Sequence, residues 1–176
     1  MNITNYKLID FLNQQPELIS EYSTALSYIS PSKTKKDIFH MKLKHVEFIK
    51  KNFNTEGKQL IEVVSRVQRI SEDAVLDLSI IDFFGIINSI KEQMERIIKA
   101  EESSLTPSKV NVKWEMVNGS EKMAKFGIYN TLENISGGNA LEYKKYMNMN
   151  YSEVFTILYM RKTAAELAAE MDEIKT

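Results

Sequence analysis

The sequence predicts an all-α fold, an irregular helical bundle of about six to eight helices, and three observations carry that prediction. Six Gly and three Pro among 176 residues leave few of the tight turns that a sheet-built protein needs. Ile80, Phe83, Phe84, Ile87, Ile90, Met94, Ile97 and Ile98 recur at steps of three and four, the period of a helix with one apolar face. The breaks between periodic segments repeatedly offer a Ser, Thr or Asn suited to capping the helix that follows.

In chain order, Thr4 can cap a short helix to Gln15 that clusters Leu8, Ile9, Phe11 and Leu12. Pro16 fits the first position of a second helix near 17–29, because its fixed φ suits a helix start. After "SPSKTK", Thr34 can cap a third helix to about Phe53, carrying Phe39, Leu43, Val46 and Ile49. Thr55 can cap a fourth over 56–70. The span 72–102 reads as one long helix or two, with starts available at Ser71 and Ser79, and Gly85 and Asn88 mark a place for a bend.

"SSLTPSK" at 103–109 is the most loop-like stretch. It divides an N-terminal helical part, 1–102, from a C-terminal part, 110–176, within one cooperative domain whose terminal helix protrudes. In "VNVKWEM" the residues Val110, Val112, Trp114 and Met116 alternate with polar ones. Two readings stay open: an isolated strand near 110–116, or a helix started by Thr106-Pro107. Ser120 can cap the next helix, with Met123, Phe126, Ile128, Leu132 and Ile135. In "NISGGNALE" the first Gly can take the left-handed conformation that closes this helix, and Asn139 can open another. A phosphate loop would need a preceding strand and a Lys-Ser/Thr pair, and neither is present. The last helix, 152–174, carries Val154, Phe155, Leu158, Leu167, Met171 and Ile174, and ends in "TAAELAAEMDEI", where small Ala side chains permit close helix packing.

Composition narrows the function. Apolar residues make up 43% and charged residues 27%, with net charge −1, so no overall field points to nucleic acid. The absence of cysteine excludes disulfides, thiolate metal sites and thiol nucleophiles. "MNITNYKLIDFLNQQ" lacks the basic-then-apolar order of a signal peptide, and "LSIIDFFGIINSI" is too short and too interrupted by Asp82 to span a bilayer. An intracellular chain, or one assembled inside a cell, is expected, neither secreted nor membrane-spanning.

His40 and His45 are the only histidines. Five residues apart on a helix they point about 140° from each other, so one metal cannot bridge them. No Walker loop, nucleophile elbow or dinucleotide fingerprint occurs. No catalytic residue, cofactor or metal is expected, and the chain is read as a non-enzyme. One basic run stands out: Lys33, Lys35, Lys36, Lys42, Lys44, Lys50 and Lys51 lie in 33–51 with only two acids. It can be a solvated face, a contact for an acidic protein segment such as 163–176, or a grip on nucleic-acid phosphates.

"DFFGIINSIKEQMERIIKAEE" and "KFGIYNTLENISGGNALEYKKYMNMNYSEVFTILYMRKTAAEL" together resemble small helical proteins encoded among tailed-phage structural and tail-assembly genes, over roughly residues 80–170. The resemblance implies a non-enzymatic, oligomeric role as a virion component near tail or portal, with self and other phage structural proteins as partners. A tail-assembly chaperone absent from the mature particle is the alternative, and a nucleic-acid binder using 33–51 is a further one. Candidate contact residues are the Val110–Met116 segment with Trp114 and Met116, the aromatics Tyr151, Phe155 and Tyr159, and Ala165 and Ala168 of the terminal helix. Trp114 leads because Trp is enriched at interface centres.

Overall fold

The computed structural model describes residues 6–109 and 111–174. The expectations at Thr4 and Val110 therefore lie outside the described residues. The described chain is all-helical: α1 Leu8–Leu12, α2 Pro16–Leu26, α3 Leu43–Asn52, α4 Lys58–Gln68, α5 Glu72–Leu76, α6 Ile80–Leu105, α7 Val112–Met116, α8 Gly119–Ala124, α9 Ile128–Ser136, α10 Tyr143–Met147 and α11 Tyr151–Ile174. Short 3-10 turns stand at Ile38–His40 and Ala140–Glu142. The helices outnumber the expected six to eight because Gly127, with φ of 51°, cuts the helix expected from Ser120 to Ile135 into α8 and α9, and because the short helices α7 and α10 stand apart. Ser120 caps neither α8 nor α9, since α8 starts at Gly119 after Asn118. The chain forms two compact units, one of Met1–His40 with Phe48–Arg96 and the other of Met41–Glu47 with Ile97–Thr176.

The first unit packs α4 and the N-terminal part of α6 around one core. Val63, Val64 and Val67 of α4 are buried, as are Ile80, Phe83, Ile86, Ile87, Ile90 and Met94 of α6. Each such side chain contributes about 1.5–3 kcal/mol through removal from water. Leu8 and Phe11 of α1 complete it, with Phe11 edge-on to Phe84 at 6.3 Å. Leu8 N–H donates to Leu78 O and Ile80 N–H to Tyr6 O, which ties the start of α1 beside the start of α6.

The span 72–102 resolves into two helices, and both serine starts are used. Ser71 Oγ accepts from Ala74 N–H at 3.2 Å, and Ser79 Oγ accepts from Asp82 N–H at 3.1 Å while donating to its carboxylate at 2.7 Å. The third helix is a correction. It begins at Leu43, and residues before it form a strap that leads into the 3-10 turn. Thr34 caps nothing helical; its Oγ1 donates to Lys36 O instead. Thr55 likewise bonds back to Asn52 O, and α4 starts at Lys58 after Gly57.

Long-range polar bonds explain why the strap is not helical. Asn88 Nδ2 donates to Ser27 O and Ile29 O, Ser32 N–H donates to Gly85 O at 2.9 Å, and Lys35 N–H donates to Gln68 Oε1 at 3.0 Å. Buried Gln93 accepts from Ile38 N–H at 2.8 Å and donates to Thr34 Oγ1 at 2.9 Å. Backbone groups satisfied in this way have no need of a helical ladder. Gly85 and Asn88 thus hold the strap against α6, which runs as one helix through both positions.

In the second unit, α6 stays helical through Leu105, so residues 103–105 of the expected linker belong to a helix. Residues 112–116 are helical too, and among the described residues there is no strand, only the isolated bridges Lys7 with Ser79 and Lys42 with Asn150. Asn111 Oδ1 caps α7 by accepting from Trp114 N–H, a local bond that outweighs the alternating pattern. The paired glycines act as a helix stop: Gly137 and Gly138 have φ of 63° and 86°, and Gly138 N–H returns to Glu133 O. Asn139 Oδ1 accepts from Leu141 N–H and opens the next turn.

Candidate docking surface

The second unit spreads its apolar residues unevenly. Leu43, Val46, Ile97, Leu132, Ile135 and Val154 are buried, whereas α7 and α8 bury only Gly119. On these two helices and the turns beside them Val112, Trp114, Met116, Val117, Met123 and Phe126 are all exposed, Met116 by 79% and Val112 by 67%. Isolated exposed apolar side chains are ordinary, and six within fifteen residues are a denser cluster than scattered exposure supplies.

Local chemistry holds this hairpin in shape. Asn118 takes a left-handed φ of 52° and reverses the chain between α7 and α8. The Trp114 ring lies on Gly119, where a Cβ would sit 2.3 Å from the indole. Indole Nε1–H donates to Ser120 Oγ at 3.1 Å, and Ser120 Oγ donates to Glu115 Oε1 at 3.1 Å. One edge of Trp114 is thereby fixed while the residue stays 44% exposed, as a pre-oriented contact residue would be.

Other expected contact residues are placed differently. Tyr151 is buried, so it serves the core of its unit and offers nothing to a partner. Its N–H donates to Met41 O at 2.8 Å and its hydroxyl to Glu101 Oε1 at 2.5 Å. Burial, and then the neighbouring Glu101 carboxylate, push the phenol far above its ordinary value. The native state therefore keeps this proton when the unfolded chain has lost it. That contribution is whole below about pH 10 and fades as pH rises further. Unfolding curves of the wild type should shift to lower stability above that pH, and Tyr151→Phe should lack this part of the alkaline slope. Phe155 is half-buried at a ring distance of 6.3 Å from Tyr151, while Tyr159 is exposed. Ala165 lines a shallow groove between α11 and residues 105–111, and Ala168 is exposed.

The basic residues do not make one helical stripe. Lys33, Lys35 and Lys36 lie on the strap, Lys42 in a bridge, and only Lys44, Lys50 and Lys51 on α3. Lys33, Lys35, Lys42 and Lys51 are exposed and Lys36, Lys44 and Lys50 half-buried. The basic run 33–51 is therefore not a single helix.

The first unit also carries an apolar cleft of about 800 Å³, walled by Leu8, Phe11, Pro16, Ile19, Leu60, Phe83 and Ile87. Its titratable lining side chains are Glu56 and Lys91, and neither histidine lines it. Among the described residues no cluster of three or more His, Asp or Glu could hold a metal ion, and no helix is long and apolar enough to cross a membrane.

No protein-family model, curated protein or solved structure matches this chain.

Proposed function

We propose that this protein works by docking, as a non-enzymatic structural or assembly component, with the α7–α8 hairpin as its contact surface. The observation that carries the reading is the cluster of exposed apolar side chains around a Trp114 held in place from behind by Gly119 and Ser120. Leaving that much apolar area in water costs solubility, and a partner that covers it recovers about 25 cal/mol for each Å². The resemblance of residues 80–170 to small helical proteins of tailed-phage structural genes supplies the setting: a virion component near tail or portal, or a chaperone that leaves before the particle is finished. In both settings other phage structural proteins are the partners.

Cross-linking mass spectrometry in the native gene context tests it, through Lys113 and Lys122 of the hairpin. Links to a phage structural protein are expected, and Met116→Glu with Val117→Glu should remove them while changing thermal stability by no more than about 0.5 kcal/mol, because both sites are solvent-exposed. A hairpin that links to nothing outside its own chain, or links that survive both charges, would refute the reading.

A further inference from the structure

We infer that the apolar cleft of the first unit binds a single-chain aliphatic carboxylate, with its head at Lys91 and its tail along α6. The cleft lies wholly within that unit, among residues of α1, α2, α4 and α6. At about 800 Å³ it falls in the range of small-molecule pockets, about 300–1,000 Å³. An α-helix with its side chains is about 10–12 Å across, so the same space would take roughly one and a half turns of one. A small molecule suits the cleft better than a partner helix.

The side that α2 presents argues against a mere packing gap. Its lining residues include Ser20, Ser23, Thr24 and Ser27, at steps of 3, 1 and 3 on one side of the helix. Its large side chains Leu18 and Tyr22 are exposed and take no part in the lining. Leu26 is the one buried residue of α2, close to where Asn88 of α6 holds the Ser27 and Ile29 carbonyls. A helix packed as core would turn its leucine and tyrosine inward. Small hydroxyl residues share the cleft with Leu60, Phe84 and Ile87 instead, and they are too short to fill it.

Charge selects the head group. Phe84, Ile87 and Lys91 follow along one side of α6 over about 10 Å, and Phe84 meets Phe11 at a ring distance of 6.3 Å. The cation thus ends an apolar wall. Lys91 is half-buried and is the one cation among the described lining residues. Lys7, Lys109, Lys145 and Lys162 each pair with a carboxylate. Lys91 has no hydrogen bond or ion pair among the described residues, although Glu95 stands four positions along the same helix. A half-buried ammonium without a partner keeps part of its desolvation cost, and an anion in the cleft offsets it. Glu56, the other titratable lining residue, is exposed, where water and salt screen it. A phosphate would call for an Arg fork or several donors, and no arginine lines the cleft; one lysine matches one carboxylate.

Isothermal titration of the full chain with dodecanoate, kept below its micelle concentration, should show one site with Kd of about 10–100 μM. Decanoate should bind about tenfold more weakly, because each buried methylene adds its own increment. Dodecyltrimethylammonium, the same tail with a cationic head, should bind at least about tenfold more weakly than dodecanoate. Lys91→Gln should weaken dodecanoate about tenfold and leave the ammonium probe unweakened. Ser23→Leu puts a larger side chain and a better helix former into the cleft wall, so it should abolish binding of both probes while the thermal midpoint holds or rises. A wild type that takes both heads equally, dodecanoate binding that survives Lys91→Gln or Ser23→Leu unchanged, or no binding below the micelle concentration would each overturn the inference. The docking hairpin belongs to the second unit, and its cross-links are read separately from these titrations.

Discussion

Gly85→Val should destabilise the first unit by about 3 kcal/mol, enough to lower the thermal midpoint by several degrees, since overpacking against backbone costs 1–3 kcal/mol or somewhat more. A Cβ at this position would lie 2.2 Å from Ser32 Oγ, 3.1 Å from Ser32 Cβ and 3.3 Å from the Ser30 carbonyl oxygen. The hydroxyl can rotate away, but the other two atoms belong to a strap held by hydrogen bonds on either side. Valine adds two methyls to the clash and removes the close approach that lets Ser32 N–H reach Gly85 O. Gly85 sits in a helix, where alanine is normally the better residue by 0.5–1 kcal/mol, so simple propensity predicts stabilisation from Gly85→Ala. Thermal melts of Gly85→Ala and Gly85→Val decide between these. Two stabilised variants would mean that the strap does not pack at this position.

Gln93→Leu should cost about 2–3 kcal/mol in chemical denaturation, although leucine matches the residue in volume and belongs in a core. The loss is polar. Gln93 Oε1 satisfies the Ile38 N–H at 2.8 Å, and its amide holds Thr34 and Ser89. Ile38 is fully buried, so its orphaned donor would carry the desolvation penalty of about 1–3 kcal/mol. Among the described residues no buried side-chain nitrogen or oxygen lacks a partner, and this substitution would break a complete network. Equal stability of Gln93→Leu and wild type would show that the strap finds another partner.

These two residues also show where local reading stopped. Gly85 and Asn88 read as weak helix formers that invite a bend, because their effect on the helix they occupy is all that spacing reveals. Their partners lie more than fifty residues earlier, at Ser27, Ile29 and Ser32, and no period in the chain announces them. The third helix is shorter than its pattern for the same reason. Phe39, Leu43, Val46 and Ile49 hold a helical period, yet the part before Leu43 gives its backbone groups to Gln68 and Gln93. At Val112–Met116 the alternation leaves strand and helix both open, and one Asn111 cap is enough to set the helix.

The contact residues divide along similar lines. Trp114 and Met116 were legible as large apolar side chains in a polar neighbourhood, and both are exposed. Tyr151 looked equivalent, and burial against Met41 and Glu101 took it out of reach. Met123 and Phe126 read as ordinary helix-face residues, yet they and Val117 lie at the surface. Nothing in a short helix of five or six residues tells which side its unit will cover.

By itself the sequence determined the helical class and a few of the helix ends. Pro16, Ser71, Ser79 and the pair Gly137-Gly138 act as the residue types require. Their interactions close within five residues, so chain order alone contains both partners. Only the tertiary structure decided the strap, the division at Arg96 and Ile97 inside α6, and which apolar faces stay in water. Those outcomes depend on groups far apart in the chain competing for the same donors and the same buried space, and that competition is settled only when the units pack.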